Sequence, residues 1–122
     1  MDEAVALCPT QDLQERGLAV PFDVVHGGQT CRGFAVRFEN KVYAYLNRCA
    51  HVAMEMDFQP NQFWDETRQW LMCATHGALY EPDTGHCAGG PCRGGKLQRL
   101  QVIERDNQIF WLPDDSVGAT RA

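Results

Sequence analysis

Two short motifs, Cys49-Ala50-His51 and Cys73-Ala74-Thr75-His76, constrain this chain more than any other feature. Twenty-one residues separate His51 from Cys73, so the fold must bring the two units together. A thiol and an imidazole at close spacing, occurring twice, form a metal-ligand constellation, because sulfur and imidazole nitrogen are the donors that soft and borderline metals prefer. A structural Cys2His2 zinc site is one reading. It fits a C-x-H unit awkwardly, since zinc fingers usually pair Cys with Cys and His with His.

The rest of the chain reads as scaffold for these loops. At 122 residues it suits one compact domain with a real core. A net charge of −5 argues against nucleic acid, which requires clustered Lys and Arg. It favours encounters with basic partner surfaces. No apolar run reaches the roughly 18 residues needed to span a bilayer, and the acidic start Met1-Asp2-Glu3 lacks the basic region of a secretory signal. The expectation is a cytoplasmic protein without membrane insertion. Six cysteines in such a chain suggest metal binding before a disulfide framework.

Alternation dominates the pattern. Leu18, Val20, Phe22 and Val24 have strand spacing, and Pro21 places that strand at a sheet edge. Phe34, Val36 and Phe38 alternate with Ala35, Arg37 and Glu39, and Val42, Ala44 and Leu46 alternate with Tyr43 and Tyr45, a hairpin turned at Glu39-Asn40-Lys41, where Asn tolerates positive φ. Asn47 then leads from a strand end into Cys49. Residues 52–72 have no strong period, as expected of a functional or self-packed loop. Gln69–Cys73 and Ala78–Tyr80 form a second hairpin, followed by a turn at Glu81–Gly85. Residues 85–95 hold five of eleven glycines and read as loop. Leu97–Glu104 and Gln108–Leu112 are the last strands, and Pro113 onward reads as a frayed polar tail. Met1–Leu7 is a loose tail or the start of an edge strand, and Thr10–Glu15 contains a short helical turn ended by Gly17. The class is all-β.

The order of motifs resembles the Rieske [2Fe–2S] family. After the ligand units come His76-Gly77-Ala78-Leu79-Tyr80, Asp83-Thr84-Gly85, Gly89-Gly90-Pro91, Leu97 and Leu100. Upstream, Val42–Asn47 is similar to the strand before the first ligand loop. The likeness spans roughly residues 18–112. It implies an antiparallel β-sandwich or barrel base with an inserted cluster-binding subdomain made of two ligand loops. The domain is single, 1–122, with a basal part near 1–47 and 93–122 and a cluster-binding part near 48–92. The resemblance implies one [2Fe–2S] cluster, with Cys49 and Cys73 on the inner iron and His51 and His76 on the outer, partner-facing iron. Replacing two thiolates by imidazoles lowers the negative charge and raises the potential from about −400 mV to roughly −150 to +300 mV.

Departures define the subtype. Met54 and Thr75 stand where cytochrome bc-type members carry disulfide cysteines. Ala78 stands where such proteins aim a Ser hydroxyl at a bridging sulfide, whereas Tyr80 matches the tyrosine that donates to a ligand sulfur. Ala53, Ala50 and Ala74 replace a common glycine and two prolines. Gly90 and Pro91 match the loop that covers the cluster's third side. One sulfur hydrogen bond lost and one kept places the potential in the lower Rieske range.

Cys87 and Cys92 admit three states: a local disulfide, a redox-active pair, or free thiols, the last favoured in a reducing compartment. Cys8 and Cys31 read as small packed side chains. His26 reads as an exposed turn residue and His86 as a surface loop residue. Trp64, Trp70, Trp111, Phe58 and Phe63 offer an electron-entry surface or plain core packing. Glu55, Asp57, Asp65 and Glu66 read as docking charges or merely solvated ones. The resemblance implies a non-enzymatic electron carrier between a reductase and an acceptor such as an oxygenase. The family's oxygenases need a further mononuclear iron domain, for which this chain has no room. An accessory small subunit of the nitrite reductase type and a cluster-based redox sensor are the alternatives, with a structural zinc module behind them.

Overall fold

The computed structural model describes residues 4–48, 56, 61–73, 77–92, 94–113 and 117–119. Ten strands appear among them: β1 Val5–Pro9, β2 Val20–His26, β3 Gln29–Phe38, β4 Lys41–Leu46, β5 Leu71–Met72, β6 Leu79–Tyr80, β7 Cys87–Gly89, β8 Arg99–Arg105, β9 Gln108–Leu112 and β10 Val117–Ala119. A 3-10 turn at Thr10–Asp12 is the helical element among the described residues. The strands form a seven-stranded sheet in the order β1-β9-β8-β4-β3-β2-β10 and a three-stranded sheet β5-β6-β7. All these pairings are antiparallel.

Local turn chemistry sets the large sheet's hairpins. Gly27-Gly28 joins β2 to β3, Glu39-Asn40 joins β3 to β4, and Asp106-Asn107 joins β8 to β9, with both residues of each turn at positive φ. Paired positive φ values match the right-handed twist of flanking strands, which is why Gly, Asn and Asp recur there. Glu39 is the unusual member. Its N–H and that of Asn40 both donate to the Glu15 carboxylate, at 2.6 and 2.9 Å. Burial pushes the Glu15 carboxyl up, but these two backbone donors and Arg16 outweigh it, and the net shift is downward.

The large sheet curls. Phe22 in β2 and Trp111 in β9 have ring centroids 5.2 Å apart, yet four strand spacings separate their strands. A flat sheet would hold them roughly 19 Å apart at about 4.8 Å per spacing. The space inside the curl is narrow and takes small side chains: Ala35 and Ala44 are fully buried there with Val24, Leu100 and Ile109. At Gly33 a Cβ would lie 2.7 Å from Leu100 Cδ1 and 2.8 Å from Phe22 Cζ. The alternate residues Phe34, Val36 and Tyr45 point to the opposite face, into a second core with Phe63, Trp64, Leu71, Cys73, Ala78, Tyr80, Cys92 and Leu97. β3 and β4 are therefore buried on both faces.

Several expectations change. Leu18 lies outside β2 and is 58% exposed; the strand starts at Val20. The helical turn stops at Asp12, short of Glu15. β10 occupies part of the presumed frayed tail, pairs with β2 and buries Val117. β7 lies inside the glycine-rich stretch taken as loop. His26 ends a strand opposite Gln29 and Val117 and is half-buried, not an exposed turn residue. Among the described residues β10 pairs only with Val24–His26 of β2, so Pro21 lies beyond that pairing, where its missing N–H costs no ladder bond. Among the described residues no helix is long and apolar enough to cross a membrane.

Arg37 of β3, on the same face as Gly33 and Ala35, fastens one end of the curl. Its guanidinium donates to both Glu104 carboxylate oxygens, at 2.7 and 3.2 Å, and to the Leu13 carbonyl at 2.7 Å. The Arg37 hydrogen bonds hold the Glu104 carboxyl below its ordinary range. A carboxyl depressed in the folded state stabilises the fold above its unfolded pKa, and that contribution fades as pH falls through the folded value. Glu104→Gln should cost about 1 kcal/mol near neutral pH. The gap between the two proteins in urea unfolding should close below about pH 4.

Candidate metal centre

The first ligand loop leaves β4 through Asn47, a buried polar residue 6% exposed. Its N–H donates to the Arg32 carbonyl at 2.8 Å, and its side-chain Oδ1 accepts the Met56 N–H at 2.8 Å. A buried amide persists only where its hydrogen bonds are made. This one ties residue 47 to residue 56 across the segment that carries Cys49 and His51. Those two residues, with Met54, Ala50 and Ala53, lie outside the described residues. Sequence reasoning had given Asn47 no role. A lone Asn at a strand end just before the C-x-H unit was the signal available.

The second loop is closed by its own backbone. The Cys73 N–H donates to the Ala78 carbonyl and the Gly77 N–H to the Cys73 carbonyl, both at 2.8 Å. Gly77 takes positive φ, 74°. Cys73 is fully buried and outside any disulfide. Upstream, Met72 donates to the Phe63 carbonyl at 2.7 Å, and Phe63 stacks on Phe34 with centroids 3.8 Å apart. Strand β5 and its loop are thus seated on the large sheet. Thr75 and His76 fall outside the described residues. Ala78 and Tyr80 are fully buried in the same core as Cys73.

A third segment closes on the second. Gly90 adopts φ 82°, and a Cβ there would lie 2.9 Å from the Gly77 oxygen and 3.0 Å from Ala78 Cα. The residue must be glycine for both reasons. Pro91 follows directly. The expectation of free thiols at Cys87 and Cys92 is corrected: the two are joined in a disulfide with Cα atoms 5.6 Å apart. The turn through Gly90-Pro91 folds the chain back, and spacing alone does not show that convergence. The turn at Glu81–Gly85 is anchored from below by Tyr45, whose hydroxyl donates to the Pro82 carbonyl at 2.8 Å. Burial drives the Tyr45 phenol far above its usual pKa, so it remains a neutral donor.

The remaining aromatics settle toward packing. Trp111, Trp64 and Phe63 are buried, and Trp64 Nε1 donates to the Gly17 carbonyl at 2.9 Å. Trp70 is half-exposed, and Phe58, Glu55 and Asp57 lie outside the described residues. Asp65 organises its own hairpin, accepting the Thr67 hydroxyl at 2.9 Å and the Gln69 and Trp70 N–H groups at 3.2 and 3.3 Å. His86 is exposed, as expected of a surface residue. Cys8 is buried and Cys31 half-buried. Among the described residues no group of three or more His, Cys, Asp or Glu could hold a metal; three of the four expected ligands lie outside them. The part that is described fits a compact cluster. It offers a buried cysteine at a strand end and a wall held so close that no side chain intervenes.

Three substitutions test this frame. Asn47→Ala strands the buried Met56 N–H and should lower unfolding free energy by about 1–3 kcal/mol, read by denaturant titration. Gly90→Ala combines left-handed backbone with a clash on Gly77, whereas Gly94→Ala meets only the backbone term, with nothing within 4 Å of its Cβ at φ 77°. Gly94→Ala should cost about 1–2 kcal/mol. Gly90→Ala should cost more and reduce iron content, measured per purified chain.

Comparison with known proteins follows the same lines. A family model for the Rieske [2Fe-2S] domain matches residues 3–103. No curated protein sequence matches the chain. Among solved structures, the ferredoxin of carbazole 1,9a-dioxygenase from Nocardioides aromaticivorans IC177 is similar. It superposes with TM-score 0.72 at 22% identity, over 93% of this chain and 100% of that one. The terminal oxygenase of the same system superposes with TM-score 0.70 at 17% identity, over 93% of this chain but 30% of that one. A complex of reduced oxygenase and oxidized ferredoxin in carbazole 1,9a-dioxygenase gives TM-score 0.67 at 19% identity, over 88% and 91%. These likenesses show a shared fold, and the match over most of its length places this chain in the Rieske [2Fe-2S] domain family.

Proposed function

We propose that this protein is a cytoplasmic one-electron carrier, not itself an enzyme, which binds a single [2Fe–2S] cluster through Cys49, His51, Cys73 and His76. The observation that carries this reading is the convergence around Cys73. A fully buried thiol, a backbone-closed turn and the Gly90 wall meet at the place where the family motif requires a ligand. When bound, the cluster supplies reversible one-electron chemistry at a potential above that of all-thiolate clusters.

The chain's own groups do the positioning. Asn47 fixes the span of the first loop, and the 73–78 turn fixes the second. In this reading Cys49 and Cys73 would hold one iron and His51 and His76 the other, each imidazole keeping a second ring nitrogen that can carry a proton. Tyr80, buried beside Cys73 in the same core, is assigned as the donor to a ligand sulfur. Ala78 supplies no hydroxyl, which lowers the potential within the family's range. The fold likeness to a dioxygenase ferredoxin and to ferredoxin–oxygenase complexes supports a reductase as donor and an oxygenase or similar acceptor. The net charge of −5 suits basic docking faces on those partners.

The purified protein should be red-brown and contain about two iron and two sulfide per chain. Its reduced form should give an EPR spectrum with average g below that of all-cysteine ferredoxins. A colourless protein with stoichiometric zinc would refute the reading. Tyr80→Phe should lower the potential by roughly 40 mV, the one-electron equivalent of a hydrogen bond of about 1 kcal/mol. Protein-film voltammetry measures that shift.

A further inference from the structure

The disulfide Cys87–Cys92 takes no part in the reading above, yet it closes the loop whose Gly90 lies on Gly77 and Ala78. Its two sulfurs differ in access. Cys92 is 3% exposed. Cys87 is half-buried and lines an open cleft of about 330 Å³ with His86, Gly94, Gly95 and Lys96. In a chain of net charge −5, the exposed Lys96 gives this cleft a positive mouth. Disulfides of cytosolic proteins are commonly transient rather than structural.

We propose that Cys87–Cys92 is a reversible thiol–disulfide exchange site whose reaction partner is an anionic low-molecular-weight thiol approaching Cys87 past Lys96. The thiolate attacks Cys87 Sγ, the Sγ–Sγ bond breaks, and Cys92 leaves as a thiolate that takes a proton. A second thiol attacks the bound sulfur, releasing Cys87. In sum, two external thiols become one external disulfide while the protein disulfide gains two electrons and two protons.

The buried leaving group has its acceptors in place. Cys92 Sγ lies 3.2 Å from the Gly89 oxygen and 3.4 Å from the Leu79 oxygen. As a disulfide sulfur it has no hydrogen to give them; as a thiol it donates. The frame around the pair does not depend on the bond. Cys87 N–H donates to the Gly95 carbonyl at 2.9 Å and Gly95 N–H to the Cys92 carbonyl at 2.7 Å, while His86 and Lys96 form an isolated antiparallel bridge beside them. The cysteines therefore stay near each other when reduced, and the bond can re-form. Opening it frees the Gly89–Pro91 segment that lies on the second ligand loop.

The cluster-loaded, oxidised protein is treated with reduced glutathione, quenched in acid, alkylated and mapped by peptide mass spectrometry. The expected mixed disulfide is on Cys87, with none on Cys92. At low ionic strength Lys96→Gln should slow reduction by glutathione roughly tenfold, the low end of electrostatic steering, and leave reduction by neutral 2-mercaptoethanol unchanged. Hydrogen exchange at Gly77–Leu79 should rise in the dithiol form. Adduct on Cys92, equal slowing with both thiols, unchanged exchange at Gly77–Leu79, or two free thiols that persist in oxidised glutathione would each overturn the proposal. The visible spectrum of the same samples reports separately on the cluster reading.

Discussion

Burial of β3 and β4 on both faces is the constraint on which the other parts of the structure depend. One face fills the inside of a curled sheet, where Gly33, Ala35 and Ala44 leave room for Phe22, Leu100 and Trp111. The other face carries Phe34, Val36 and Tyr45, which form the floor beneath β5, β6 and the loops around them. A strand exposed on one face could slip or tilt with little penalty. A one-residue slip here would exchange large and small residues between two close-packed cores and overfill one while emptying the other. The loops are thus mounted on the most sharply specified part of the sheet.

The attachments of the loops show how that specification is passed outward. The first loop hangs from the end of β4 and is tied by the Asn47 side chain. The second rises from β5, whose Phe63 contact stacks directly on Phe34 of β3. The turn that precedes the third is held by the Tyr45 hydroxyl on Pro82, with Gly85 leaving space for the Tyr45 ring. Each tie is a single hydrogen bond or ring contact, and each ends on β3, on β4 or on Asn47 directly after β4. Relative motion between the loops therefore requires motion within the doubly buried pair.

Legibility in the sequence followed the range of the interactions. The hairpins at Gly27-Gly28, Asn40 and Asp106-Asn107 were readable because backbone sterics at two residues decide them. The antiparallel pairing of β5 with β6 was readable for a related reason, since the Cys73–Gly77 interval is too short for anything but a tight turn. β10 was not, because three residues with no period gain their strand state from pairing with β2, almost a hundred positions away. β7 was hidden by its composition, Cys-Ala-Gly, which carries no strand propensity. At the candidate site, the spacing that metal chemistry would impose makes the two Cys–His motifs stand out. The Tyr45 bond to Pro82 spans 37 positions and no local pattern records it; Asn47 and the Cys87–Cys92 bond act over short spans whose geometry the residue types alone do not decide.

An electron carrier benefits from a site that changes shape little between charge states, and the arrangement around Cys73 is suited to that. The Cys73 and Gly77 N–H groups both donate within the turn itself, so neither needs solvent. The Gly90 backbone then occupies the space a side chain would take, which leaves few atoms free to reorient when charge arrives. The same closeness makes the wall vulnerable at one point. Gly90 has no side chain to anchor it, and Pro91 is exposed; the segment is held by the strand before it and by the covalent bond between Cys87 and Cys92. Rigidity near the second ligand loop thus rests partly on the one bond in the neighbourhood that an external thiol can break.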